Sequence, residues 1–119
     1  MFSGMLQQIL DRTEGAEMAL LVGNDGIVID RAGQTEDTEF ESLAAEFAVV
    51  MNRSRATAAD TGLGTLSELM TVTDQAILLT KIVNEDFFVM MKLGIDCTVG
   101  RARYEARRME YMVEQILES

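Results

Sequence analysis

Thr38-Glu-Phe-Glu-Ser-Leu-Ala-Ala-Glu-Phe-Ala-Val-Val-Met-Asn-Arg-Ser-Arg-Ala-Thr-Ala-Ala-Asp-Thr-Gly62 reads as one long helix. Thr38 with Glu41 three residues on has capping-box spacing, in which each side chain satisfies a free backbone N–H. Gly62 closes it, because Gly enters the left-handed conformation that ends helices. At about 100° per residue, Phe40, Leu43, Ala44, Phe47, Val50, Met51 and Ser54 share one face, an ordinary core stripe. Ala45, Ala48, Val49, Asn52, Ala56 and Ala59 lie on nearly the opposite side. Charge falls between the two, at Glu39, Glu46, Arg53 and Asp60, with Glu41 and Arg55 as exceptions. Two readings of the second face stand side by side. Ala is the best helix former and can fill a solvated surface; equally, small side chains let a second backbone approach closely.

Outward from this helix, the chain alternates clearly. Phe2, Met5, Leu6, Ile9 and Leu10 repeat at helical spacing, so residues 3–13 form a short amphipathic helix, ended by Gly15. Its few charges make no basic face, which favours docking on the core over a membrane surface. Met18–Val22 and Ile27–Asp30 flank Asn24-Asp25-Gly26, a strong hairpin signal because such turns need residues that tolerate positive φ. Gly33–Asp37 links this hairpin to the central helix. After Gly62 the period becomes strand-like: Leu66–Thr73, Ala76–Val83 and Phe87–Leu93, separated by turns at Thr73-Asp74-Gln75 and Asn84-Glu85-Asp86. The last two runs are apolar on both faces, which predicts a sheet covered on both sides. From about Val99 to Leu117 a final helix buries Val99, Ala102, Ala106, Met109, Val113 and Ile116. The order α-β-β-α-β-β-β-α defines an α+β fold, a three-layer α/β/α sandwich around a five-stranded antiparallel sheet. One domain over 1–119 is expected.

Composition narrows the function. Twenty Asp and Glu against ten Lys and Arg give a net charge of −10, which repels phosphate backbones and anionic lipid, so no nucleic acid and no membrane insertion are expected. No apolar run reaches the length of a spanning helix, and the N-terminus lacks a basic region followed by a continuous apolar stretch. A single cysteine, Cys97, suits a reducing cytoplasm. The absence of histidine removes Ser-His-Asp, Cys-His and histidine–metal chemistry. Gly62-Leu-Gly64-Thr-Leu-Ser67 lacks the Gly-Lys-Ser/Thr ending of a phosphate loop and runs from helix into strand, so it reads as a connector. Acid pairs such as Glu36-Asp37 and Glu85-Asp86 sit in turns as solvated charge. Cys97, just before the last helix, is either a thiol activated by the helix terminus or a small buried hydrophobe. The nine Met residues are scattered over core positions. No catalytic residue, cofactor or metal ligand emerges.

The segment Leu93-Gly-Ile-Asp-Cys-Thr-Val-Gly-Arg-Ala-Arg-Tyr-Glu-Ala-Arg-Arg-Met109 resembles the end of Roadblock/dynein-light-chain domains, where a strand passes through a short Asp- and Gly-containing loop into an arginine-rich helix. Leu20-Leu-Val-Gly-Asn-Asp-Gly-Ile-Val-Ile29 is similar to that family's first hairpin, and the Ala-rich helix sits where the family has its central helix. The resemblance implies a homodimer in which the third strands join into one continuous sheet, here along Leu66, Glu68, Met70 and Val72, with the central helices side by side. MglB-like bacterial members act on a small Ras-like GTPase, so Ala45, Ala48, Val49, Asn52, Ala56 and Ala59 become candidates for the twofold or the GTPase contact. By the same resemblance, the dimer steadies the partner's own catalytic residues and supplies no arginine finger. The alternatives are a scaffold subunit that changes no rate, and a small-molecule sensor, since profilin-like and PAS-like sandwiches share this architecture. Arg101, Arg103, Arg107 and Arg108 either meet an acidic partner or a phosphate, or pair along the helix with Glu105, Glu110 and Glu114; their interleaving favours pairing.

Overall fold

A computed structural model describes residues 2–34 and 39–118. The elements are α1 (Ser3–Arg12), β1 (Ala16–Gly23), β2 (Val28–Gly33), α2 (Glu39–Asp60), β3 (Glu68–Val72), β4 (Ala76–Ile82), β5 (Phe87–Gly94) and α3 (Val99–Glu118). The five strands form one antiparallel sheet in the order β2-β1-β5-β4-β3. The expected α-β-β-α-β-β-β-α order and three layers are both present. The capping box expected at Thr38 lies outside the described residues, as does the acid pair at 36–37.

Side-chain alternation divides the core into two layers. Met18, Leu20 and Val22 of β1, with Leu78, Phe88 and Met90, face α2. Ala19 and Leu21, with Ile77, Leu79, Val89, Met91 and Leu93, face α1 and α3. The strands apolar on both sides thus occupy the middle of the sheet, where both faces are covered. On α1, Phe2, Leu6 and Ile9 are buried in the second layer, and on α3 Ala102, Ala106, Met109 and Val113 are too. The short first helix is therefore a core element. Its start is held by Asp30 of β2, whose Oδ2 accepts the Phe2 backbone N–H at 2.9 Å. Partial burial pushes the Asp30 pKa up, but hydrogen bonds from the backbone N–H groups of Arg31 and Phe2 outweigh it and hold the carboxyl below its ordinary value.

Three local features differ from the sequence reading or sharpen it. In the hairpin turn, Gly26 alone takes a positive φ, of 86°; Asn24 and Asp25 do not. Asp25 instead accepts the Ile27 N–H at 3.0 Å, an Asx-type contact. At the end of α2, Leu63 N–H reaches Ala58 O at 2.9 Å and Gly62 N–H reaches Ala59 O at 3.3 Å, the paired bonds of a Schellman cap. Third, β3 starts at Glu68, so Leu66 belongs to the connector and not to the strand. The residues between Gly62 and Ser67 form that connector, with no helix following it, as expected.

Gly33 has φ 94°, and a Cβ there would lie 2.4 Å from Glu17 O and 2.7 Å from Leu10 Cδ1; at Gly62, with φ 74°, a Cβ would meet nothing. Gly62→Ala should therefore cost only the left-handed strain, about 1 kcal/mol, and Gly33→Ala about 3 kcal/mol or more through strain plus overpacking. Urea unfolding of both variants checks the difference. Asp30→Asn should lower stability at neutral pH. Because the native pKa is depressed, the carboxylate's contribution is present above its ordinary value of 3.8 and fades as pH falls through the native value. The gap between wild type and variant, followed by thermal melting, should close below about pH 4.

Candidate interaction surfaces

The rotation of α2 about its axis decides what it offers outward. Its buried residues are Phe40, Ala44, Ala48, Met51 and Ala58. The buried stripe is turned by about 50°, half a residue step, from the one expected. Val50, placed in the core by the sequence reading, is 43% exposed, and Ala48, placed on the outer face, is 3% exposed. The reason is the hairpin turn. An added Cβ at Gly26 would lie 3.0 Å from Ala45 Cα and 3.3 Å from Ala48 Cβ, so this flank of α2 is pressed against the turn and only small residues fit. Asn52, although exposed, donates to Asn24 O at 3.0 Å. Arg31 of β2 lies 4.8 Å from the Phe40 ring and 3.9 Å from the Glu41 carboxylate. The Glu41–Ala45–Ala48–Asn52 flank thus faces the β2 side of the sheet. The other flank, with Leu43 and Phe47 partly buried and Val50 exposed, faces the β4–β3 side. Ala45, Val49, Asn52, Ala56 and Ala59 remain at the surface.

Arg55, passed over in the sequence as a charge out of place, turns out to be a strut. Its guanidinium donates to Asn24 Oδ1 at 3.2 Å and to Asn84 O at 3.0 Å, while Asn24 Nδ2 donates to Glu85 O. The two turns at this end of the sheet are joined to α2 through it. Its helix position, adjacent to the buried stripe, was the available signal.

The second surface is the free edge of β3. Thr73 N–H donates to Ala76 O and Ile82 N–H to Ser67 O. With the β3–β4 register, alternation then turns the backbone groups of Leu69 and Thr71 toward β4 and those of Glu68, Met70 and Val72 away from it. Met70 is 48% and Val72 61% exposed. Glu68 is engaged on its own chain: Arg103 of α3 grips its carboxylate with Nε and Nη2 at 3.0 and 2.6 Å.

The third is α3. Glu105, expected on a solvated face, is fully buried. Three guanidinium groups converge on it: Arg12 Nε at 3.1 Å, Arg101 Nη2 at 3.0 Å and Arg108 Nη1 at 2.7 Å. Two of these pairs have the helical spacings anticipated, but the Arg12 contact ties α3 to α1 and no spacing within α3 could reveal it. Glu110 meets Lys81 of β4 at 3.3 Å. Arg107 has no ion pair with a described residue. Cys97 is half-buried and its Sγ donates to Glu14 O at 3.2 Å; burial, then the Glu14 charge, pushes its pKa up, the opposite of an activated thiol.

A cleft of ≈ 500 Å³ lies between the first turns of α2 and the ends of β1 and β5, lined by Met18, Phe40, Leu43, Glu17, Glu46 and Lys92 among others. It opens at the margin of the α2-side core layer, to which Met18 and Phe40 belong. Among the described residues, no three His, Cys, Asp or Glu side chains gather as a metal site, and no helix is long and apolar enough to cross a membrane.

This arrangement of layers, with a lone central helix on one face of a five-stranded antiparallel sheet and two helices on the other, is a Roadblock-like α+β fold. The Roadblock/LC7 domain profile matches residues 3–92, and the chain belongs to that family. Among solved structures it is similar to the Roadblock/LC7 domain from Streptomyces avermitilis, with 17% identity, 98% of each chain covered and a TM-score of 0.89. It is similar to Myxococcus xanthus MglB at 19% identity, covering 98% of this chain and 94% of that one, with a TM-score of 0.90. The gliding protein MglB from Thermus thermophilus aligns over 97% of this chain and 87% of its own, at 19% identity and a TM-score of 0.85. No curated protein matches in sequence.

Removing the Glu105 carboxylate leaves three guanidinium groups around a buried neutral side chain. Glu105→Gln should cost about 2 kcal/mol, less than for a wholly buried pair because the arginines keep access to water. Chemical unfolding measures this, and an unchanged midpoint would remove the cluster from any structural role.

Proposed function

We propose that this chain is a homodimeric regulator of a small Ras-like GTPase, without catalytic residues of its own. The carrying observation is the β3 edge: three alternate residues along it, Glu68, Met70 and Val72, present outward backbone groups, two of them with exposed apolar side chains. An exposed apolar edge of this kind invites a second strand. Self-pairing about Met70 would set Met70 opposite Met70 and Glu68 opposite Val72, extending the sheet across a twofold axis. The flank of α2 on that side, Leu43, Phe47 and Val50, would then face its copy. In this arrangement Ala48 and its neighbours, candidates for either the twofold or the GTPase contact, take no part in the twofold one. The remaining outer surface, with Ala45, Val49, Asn52, Ala56 and Ala59, is left for the GTPase.

Membership of the Roadblock/LC7 family and the shared fold with MglB support this reading. The mechanism is conformational. A surface that binds the hydrolysis-competent arrangement of the GTPase better than its other states raises that state's population, and the GTPase supplies the chemistry.

Two experiments test the two halves. Met70→Pro removes an N–H that points away from β4, so the monomer's own ladder survives. The wild type should sediment as a dimer and the variant as a folded monomer; a monomeric wild type ends the dimer reading. Separately, GTP turnover by a small Ras-like GTPase from the same organism should rise and saturate as the protein is added. Ala56→Arg should abolish that rise while the melting temperature stays put, since Ala56 is exposed, whereas Ala48→Arg would disrupt the core. Unchanged turnover with equal affinity for the GDP- and GTP-loaded forms would assign a scaffold role instead.

A further inference from the structure

The outward side of α3 is built unlike a merely solvated face. Arg101, Tyr104, Arg108, Tyr111 and Gln115 recur at alternating steps of three and four residues, the spacing of a coiled-coil seam. They run along the side opposite Ala102, Ala106, Met109 and Val113, which are buried under the sheet. Tyr111 is 64% exposed, and with Tyr104, Met112, Arg107 and Arg108 it lines an open groove of ≈ 640 Å³. Arg101 lies 5.4 Å from the Tyr104 ring, so guanidinium and ring form one continuous surface.

Charge sets the sign of what fits there. The chain carries −10 overall, yet half of its ten cations, Arg12, Arg101, Arg103, Arg107 and Arg108, cluster at this helix; of these Arg103 is taken up by Glu68 of β3. Around Glu105, three guanidinium groups share one carboxylate, which leaves a local excess of two positive charges. Arg107 adds another. A basic and aromatic stripe at helical spacing on an acidic molecule is complementary to a negatively charged helix. A helix fits it better than an anionic bilayer does: the stripe is one helix wide, and a broad surface would also press on Glu110 and Glu114, which border it.

We propose that α3 docks an acidic amphipathic helix of a partner protein, with carboxylates set on Arg101, Arg107 and Arg108 and apolar side chains on Tyr104 and Tyr111. Because α3 and α2 lie on opposite faces of the sheet, this partner and one bound to α2 can be held together. The inference does not depend on what α2 binds.

The probe is a fluorescent helical peptide of about 21 residues, with Leu at its a and d positions and Glu at e and g; at 1.5 Å per residue it spans ~31 Å and so covers the ~21 Å from Arg101 to Gln115 with about a turn to spare at each end. Its affinity for the full-length protein is measured by anisotropy, and its site by amide chemical shifts. Saturable binding is expected, weakening at least about tenfold between about 0.05 and 0.5 M salt, with shifts centred on residues 101–115. Arg107→Glu and Tyr111→Ser, both at exposed positions, should each weaken binding about tenfold and leave the melting temperature unchanged. A peptide with Lys in place of Glu should not bind. Absence of saturable binding, shifts centred elsewhere, or undiminished binding by both variants overturns the proposal. So does preference for phosphatidylserine vesicles over the peptide, which would make α3 a membrane surface.

Discussion

The antiparallel pairing of β1 with β5 is the constraint on which the rest of this molecule depends. These strands are far apart in the chain, and they pair from Ala16 opposite Leu93 to Gly23 opposite Phe87, with one slip of register between Ala16 and Met18. Both are buried on both faces, so the sheet is stable only with helices above and below it. Closing so long a loop costs chain entropy before any contact forms. Residues such as Leu20, Leu21, Val89 and Met90, with essentially no exposure, supply the burial that offsets it. With the central pair set, β2 must lie on one edge and β4 then β3 toward the other.

The two edges are treated differently, and that difference shapes the function proposed above. β2 is guarded. Its ladder with β1 slips register between Leu21 and Val22, it carries Asp30 and Arg31, and α1 is anchored on it through Asp30. Bulges, charges and a covering helix are the usual means of stopping an edge from pairing. β3 has none of these at Met70 and Val72. It is instead fastened from behind, by Glu68 to Arg103 and through β4 by Lys81 to Glu110. A strand stiffened on its own side and bare on the other is suited to receive a second strand.

The charged groups do more structural work than their surface positions suggest. Arg55 joins two turns to α2, and Glu105 joins α1 to α3 through three arginines. Neither is a simple surface pair. The Glu105 carboxylate is removed from water, and it is tolerable there because both of its oxygens meet guanidinium groups. The same arrangement gathers three guanidinium groups around one carboxylate, so a single buried acid both ties two helices together and gathers arginines where they meet.

Much of the architecture was legible in the sequence because it depends on local periodicity. Apolar residues at helical spacing mark α1 and α3, the Asn24-Asp25-Gly26 turn marks the hairpin, Gly62 marks the end of α2, and the doubly apolar runs of β4 and β5 mark a sheet covered on both faces. On α3 the expected stripe is buried at Ala102, Ala106, Met109 and Val113 and partly buried at its ends, Val99 and Ile116, since an amphipathic helix with a clear polar side has only one way to face a sheet. On α2 the same reasoning went astray at Val50 and Ala48. Apolar residues nearly surround that helix, so periodicity alone leaves its rotation loose, and the contact with the Gly26 turn decides it. The burial of Glu105 was equally out of reach, because Arg12 comes from the other end of the chain. Sequence by itself determined which segments are helices and strands and in what order. Tertiary structure decided which flank of α2 faces out, which backbone groups of β3 stay unpaired and which acid is buried, because each depends on contacts between residues far apart in the chain.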